Sequence, residues 1–79
     1  MGRSEILSSF GNRLRKLRLA KGMTRSQFCR LTGMNIEVLR GYEAGNLEAT
    51  LETIVVMAKG LGVSNSELLD IDIDDHDLR

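Results

Sequence analysis

The sequence predicts an all-α fold of five helices, and three observations carry that prediction. Apolar residues recur every three or four positions through most of the chain, the spacing of one helix face. Ser4, Thr24, Asn35, Thr50 and Ser64 stand just before these runs, where a side-chain oxygen can accept from the free N–H groups of a first helical turn. Gly22, Gly33, Gly45 and Gly62 stand just after the first four, where a left-handed closing residue favours glycine.

The first helix is expected to be capped by Ser4 and to continue to about Lys21, with Ile6, Phe10, Leu14 and Leu17 on one face. Arg13, Arg15 and Lys16 project elsewhere, whereas Arg18 falls close to that face. Met23 packs under the following turn, where an adaptable thioether fills irregular space. Thr24 and Gln27 form a capping-box pattern for the second helix, and Phe28, Cys29 and Leu31 give it an apolar inner side. Asn35 opens the third helix, at about 36–43, in which Val38, Leu39 and Tyr42 follow at helical spacing. Tyr42 reads as a core residue with its hydroxyl near the rim. A loop of Asn46, Leu47, Glu48 and Ala49 leads to Thr50, which caps a fourth helix whose core face is Leu51, Ile54, Met57, Ala58 and Leu61. Val55 and Val56 lie partly outside that face, either as tolerated surface or as a dimer contact. Ser64 and Glu67 make another capping box, and Leu68 and Leu69 close a short fifth helix.

Residues 24–45 therefore hold two short helices joined by a glycine-containing turn, a helix-turn-helix whose second helix can lie in the DNA major groove. Four segments extend this into a family pattern: L-R-K-L-R-L-A-K-G-M-T, then F-C-R-L-T-G-M-N, then Y-E-A-G, then L-E-T-I-V-V-M-A-K-G-L-G-V-S-x-x-E-L-L. In this order and spacing the chain, over about 10–69, resembles the Xre-type helix-turn-helix family of small phage repressors and Cro-like proteins. The resemblance implies a lambda-repressor-like five-helix bundle, with a DNA-binding domain at residues 1–69. It also implies that Arg18 pairs with Glu43 of Y-E-A-G, tying the first helix to the end of the third; a phosphate contact by Arg18 is the alternative. Cys29 takes the slot where the family usually has alanine, at a close helix–helix approach.

Seventy-nine residues make one small domain with a limited core, for which dimerisation is an understandable supplement. The single cysteine excludes an intramolecular disulfide framework and a Cys-rich zinc site. No secretory signal is visible, and no apolar run approaches the roughly 18 residues of a membrane span, a pattern expected of a cytoplasmic protein. The net charge of zero hides an asymmetry. Residues 1–47 hold nine basic and three acidic side chains, net +6, and residues 48–79 hold two basic and eight acidic, net −6. The basic half suits nucleic acid; solvated helix faces with a solubilising tail are the plainer explanation. Residues 70–79 carry too much like charge to fold alone and are expected to form a disordered acidic tail, although Ile71 and Ile73 alternate as a strand would. His76 among aspartates has no second histidine or rigid framework with which to hold a metal. No acid–base pair, metal set or nucleophile–base constellation is evident, so neither an enzyme nor a cofactor is expected, and Cys29 reads as an inert thiol.

The family's base-reading positions fall on Asn35, Ile36, Glu37, Val38 and Gly41. Asn35 can bond a base or a phosphate, Ile36 can touch a thymine methyl, and Glu37 can accept from cytosine while bringing negative charge towards phosphates. Gly41 offers only room. Phosphate contacts are expected from Thr24, Arg25, Arg40, Asn46 and Thr50, with Arg30 or Arg13 flanking the groove. Arg25 replaces the glutamine usual in the family. The loop after the third helix, often basic in DNA-binding members, is Asn46, Leu47, Glu48 and Ala49, with alanine for the usual proline. Lost cations there weaken the counterion-release contribution to affinity. Two functions follow. The favoured one is a sequence-specific regulator binding double-stranded DNA as a homodimer, its third helices reaching half-sites roughly 34 Å apart. The other is a protein-interaction module using Ile36, Val38, Leu47 or the Val55 and Val56 patch to hold a protein partner.

Overall fold

Gly2, not Ser4, opens the first helix. In the structure, a computed structural model described over residues 2–71, the Gly2 carbonyl accepts from the N–H groups of Glu5 and Ile6, both at 3.1 Å. The backbone ladder thus begins before Ser4, which lies exposed inside the first turn. This helix, α1, spans Arg3–Ala20 and has no side-chain cap. It is followed by α2 (Arg25–Thr32), α3 (Ile36–Glu43), α4 (Leu51–Leu61) and α5 (Asn65–Leu68), with no strand among the described residues.

The later starts follow the local chemistry. Thr24 and Gln27 exchange both capping-box bonds, at 2.8 and 3.1 Å. Asn35 caps α3, and the Thr50 hydroxyl accepts from the Thr53 N–H at 3.2 Å. Ser64 caps α5 through the Glu67 N–H at 3.0 Å, but only half of that box forms, because the Glu67 carboxylate makes no return bond.

α1 packs against α3 and α5, α2 against α3 and α4, and α4 against α5. Their shared interior holds Phe10, Leu14, Phe28, Leu39, Tyr42, Met57, Ala58, Leu61 and Leu68. Full burial of a side chain such as Leu14 or Phe28 contributes about 1.5–3 kcal/mol. Gly11 sets the closest approach: a Cβ there would lie 2.6 Å from the Glu43 carbonyl oxygen, so α1 and α3 meet backbone to backbone.

Two residues expected inside are outside. Leu31 is 65% exposed, because α2 buries the side marked by Phe28, Cys29 and Thr32, roughly 100° around the helix from Leu31. Leu51 is 75% exposed; it opens the first turn of α4, ahead of Ile54, the first residue of that helix packed against the core. Leu69 is the C-cap of α5 rather than part of it, and it faces outward over a small apolar cleft shared with Ile6, Phe10 and Ile71. Ile71 is half-buried in that cleft and not in a strand. Asp70 is exposed, whereas Ile73, His76 and the rest of the acidic tail lie outside the described residues.

Candidate nucleic-acid interface

The turn between α2 and α3 is fixed at both ends. Gly33 closes α2 with φ 75°, and the Thr32 hydroxyl donates to the Phe28 carbonyl at 2.9 Å while accepting from the Met34 N–H at 3.3 Å. Asn35 then accepts through Oδ1 from Glu37 N–H at 2.8 Å and Val38 N–H at 3.4 Å. Its oxygen is committed to the helix. Only its NH2 group is left for an external acceptor, so the two-bond recognition of adenine by an asparagine is not open to it.

A buried ionic network lies behind this turn. Arg18 donates to Glu43 from Nε at 2.6 Å and from Nη2 at 3.2 Å, and to the Met23 carbonyl from Nη1 at 2.8 Å. With its side chain only 5% exposed, Arg18 has no access to a phosphate. Arg25 joins through Nε, 3.0 Å from Glu43 Oε1. Nothing in the local sequence announces this third member, since the residues are 18 apart and meet only through the turn. Arg25 nevertheless keeps its two terminal nitrogens outside that bond, with over a third of the side chain exposed. Cys29 sits near the same pair. Burial pushes its thiol above the ordinary value of 9.0, Glu43 pushes it further, and Arg18 partly opposes them.

Arg15, Arg18, Arg25 and Arg40 line one open cleft of about 640 Å³, together with Thr24 and Ile36. It joins the start of α2 to the start of α3. Glu37, beside this face, is paired with Arg40 at 2.6 Å, and Glu48 in the loop after α3 is paired with Arg3 at 2.8 Å. The pair offsets the Glu37 charge expected to repel phosphates only while Arg40 stays on it, and it occupies Arg40. Both pairs are exposed, so a competing phosphate meets little resistance.

Gly41 does not offer empty room. A Cβ there would lie 2.6 Å from Leu47 Cδ1 and 2.9 Å from its Cγ, so the Leu47 side chain already fills the place. The only sequence signal was an apolar residue in a loop that is usually basic. Asn46 is exposed, and its N–H donates to the Gly41 carbonyl at 2.9 Å. Thr50 is engaged as a cap and shares a 2.9 Å hydroxyl bond with Thr53. Arg13 does not flank the groove: it lies on the side of α1 facing α5, and its Nε donates to the Glu67 carbonyl at 2.9 Å. Arg30 is exposed beside Lys21 and Leu31, in a depression separate from the arginine cleft. On α4, Val55 is half-buried and Val56 is exposed, as is Leu51 one turn before Val55. Among the described residues no helix is long and apolar enough to cross a membrane, and no His, Cys, Asp and Glu cluster is placed to hold a metal.

A helix-turn-helix domain model matches residues 9–70. Among solved structures, the chain is similar to the restriction-modification controller protein C.AhdI from Aeromonas hydrophila, with 35% identity, TM-score 0.76, and 78% of this chain and 94% of that one covered. It is also similar to an HTH_3 family transcriptional regulator from Vibrio cholerae, with 28% identity and TM-score 0.80; the match covers 85% of this chain but only 38% of that one. A second restriction-modification controller protein, C.Esp1396I, is 26% identical over 82% of each chain, with TM-score 0.76. No curated protein sequence matches significantly.

Proposed function

The chain belongs to the Xre-type helix-turn-helix family, and from that membership we propose that it is a transcriptional regulator binding double-stranded DNA sequence-specifically as a homodimer in the cytoplasm. In this reading α3 enters the major groove, and the two copies address half-sites roughly 34 Å apart. The observation that carries it is the arginine-lined cleft between the starts of α2 and α3. There Arg25, held by Glu43 through Nε, can turn its terminal nitrogens to a phosphate, and Arg40 can exchange Glu37 for another. Leu51, Val55 and Val56 give α4 an apolar strip suited to the contact between copies. The similar solved proteins, two of them restriction-modification controllers, support regulation as the role.

The test is selection from a random double-stranded DNA library, with affinity followed against salt. A palindromic motif is expected. Replacing Arg25 and Arg40 together by alanine should lower affinity at least tenfold at low salt and reduce the salt slope by about 2, near 0.9 per phosphate contact. The exposure of Val38 and Leu47 favours one other reading, a module that holds a protein partner. It takes precedence if the folded protein binds no DNA at low salt and the double variant still holds that partner.

A further inference from the structure

The reading surface of α3 is short of polar groups. The Asn35 oxygen is spent on its own helix, Glu37 is paired with Arg40, and Gly41 has no side chain. What remains is apolar. Val38 and Gly41 are three residues apart and so neighbour each other on one helix face. The Leu47 side chain occupies the space over Gly41, and Val38 and Leu47 each remain 39% exposed. The loop holding Leu47 is tied down on both sides of it, by Asn46 N–H to the Gly41 carbonyl at 2.9 Å and by Glu48 to Arg3 at 2.8 Å.

We infer that Leu47 is a base-reading residue, carried on the loop after α3, that stands in for the missing side chain at Gly41 and contacts the C5-methyl group of a thymine. That methyl is the one large apolar group on the major-groove edge of the base pairs, so an apolar patch at a base-facing position favours it. This inference rests on the proposed reading that α3 enters the major groove. It changes where specificity is encoded, because part of it would lie outside α3, on a residue 6 positions beyond Gly41.

The experiment replaces each thymidine of the selected operator in turn by deoxyuridine, which removes the methyl alone, and compares the protein with Leu47→Ala. The protein should lose about fourfold at one thymidine in each half-site, which is ~0.8 kcal/mol of methyl burial converted at 1.4 kcal/mol per decade. Leu47→Ala should bind the thymidine and deoxyuridine operators equally at that position and still distinguish them elsewhere. Leu47→Met, which keeps the apolar reach, should restore the preference. A merely structural role would lower affinity on every operator alike and leave the preference intact, which would overturn the inference. So would an operator in which no deoxyuridine substitution matters. Failure of the folded protein to bind any duplex would overturn the regulator reading and this one together, whereas specific binding with a preference indifferent to Leu47 would overturn this one alone.

Discussion

Glu43 accepts three N–H groups, two from Arg18 and one from Arg25, and does so almost fully buried. A buried pair is a weak source of net stability, but a buried charge left without its partner is costly. Glu43→Gln should therefore lower stability by about 3–5 kcal/mol in urea unfolding, because Arg18 stays charged in a closed site. A small domain has on the order of 5–15 kcal/mol in total, so this variant comes close to unfolding at 37 °C. Cys29, beside the same pair, gives a pH signature. Its thiol is held above the ordinary value of 9.0 in the folded state, so the unfolded chain releases that proton first. Its contribution to stability is full below about pH 9 and is lost as pH rises through the folded value. Comparison of urea midpoints from pH 8 to 11 should show a shallower alkaline decline for Cys29→Ala than for the parent.

Element by element, what could be read from the sequence was what is decided locally. Thr24, Asn35, Thr50 and Ser64 act within three residues of themselves, and all four cap the helices they precede. Ser4 failed because a glycine two residues earlier could begin the ladder with its backbone alone, a competition that side-chain preference does not register. Leu31 and Leu51 have the right periodicity but no neighbour opposite them, and the neighbour is a property of the assembled bundle. The candidate site divides in the same way. Its residues on α3 followed from spacing and resemblance, while the Arg25–Glu43 bond and the seat of Leu47 over Gly41 join segments that only the turn and the loop bring together. Gly11 is the clearest contact the sequence did not reveal. Gly11→Val would push α1 off the α3 backbone rather than displace a flexible side chain. It should cost about 1–3 kcal/mol, the usual range for overpacking. Thermal unfolding should show this as a drop of roughly 4–8 °C per kcal/mol.

For the whole molecule, the division of charge sets how it meets a polyanion. Residues 72–79 contribute four aspartates and one arginine, so their deletion raises the net charge from zero to +3. Removing them should strengthen binding to random duplex DNA at low salt without changing the ranking of sequences, since the change is electrostatic and not a matter of base contacts. Titration of operator and random duplex at two salt concentrations separates these effects. A similar gain on operator and random DNA at low salt, with the gap between them unchanged and the gain lost at high salt, is the expected result.

The bond from Arg13 to the Glu67 carbonyl has a consequence in time. Its partners lie 54 residues apart, and α1 rests on α3 as well as on α5. At about 5–20 residues per second, a ribosome takes roughly 3–11 s to reach the second partner after making the first. Small helical domains close in microseconds to milliseconds. During those seconds α5 does not yet exist, so the support it gives α1 is the last to become available. With no proline in these 79 residues, no slow prolyl isomerisation then stands between the making of α5 and the closed bundle.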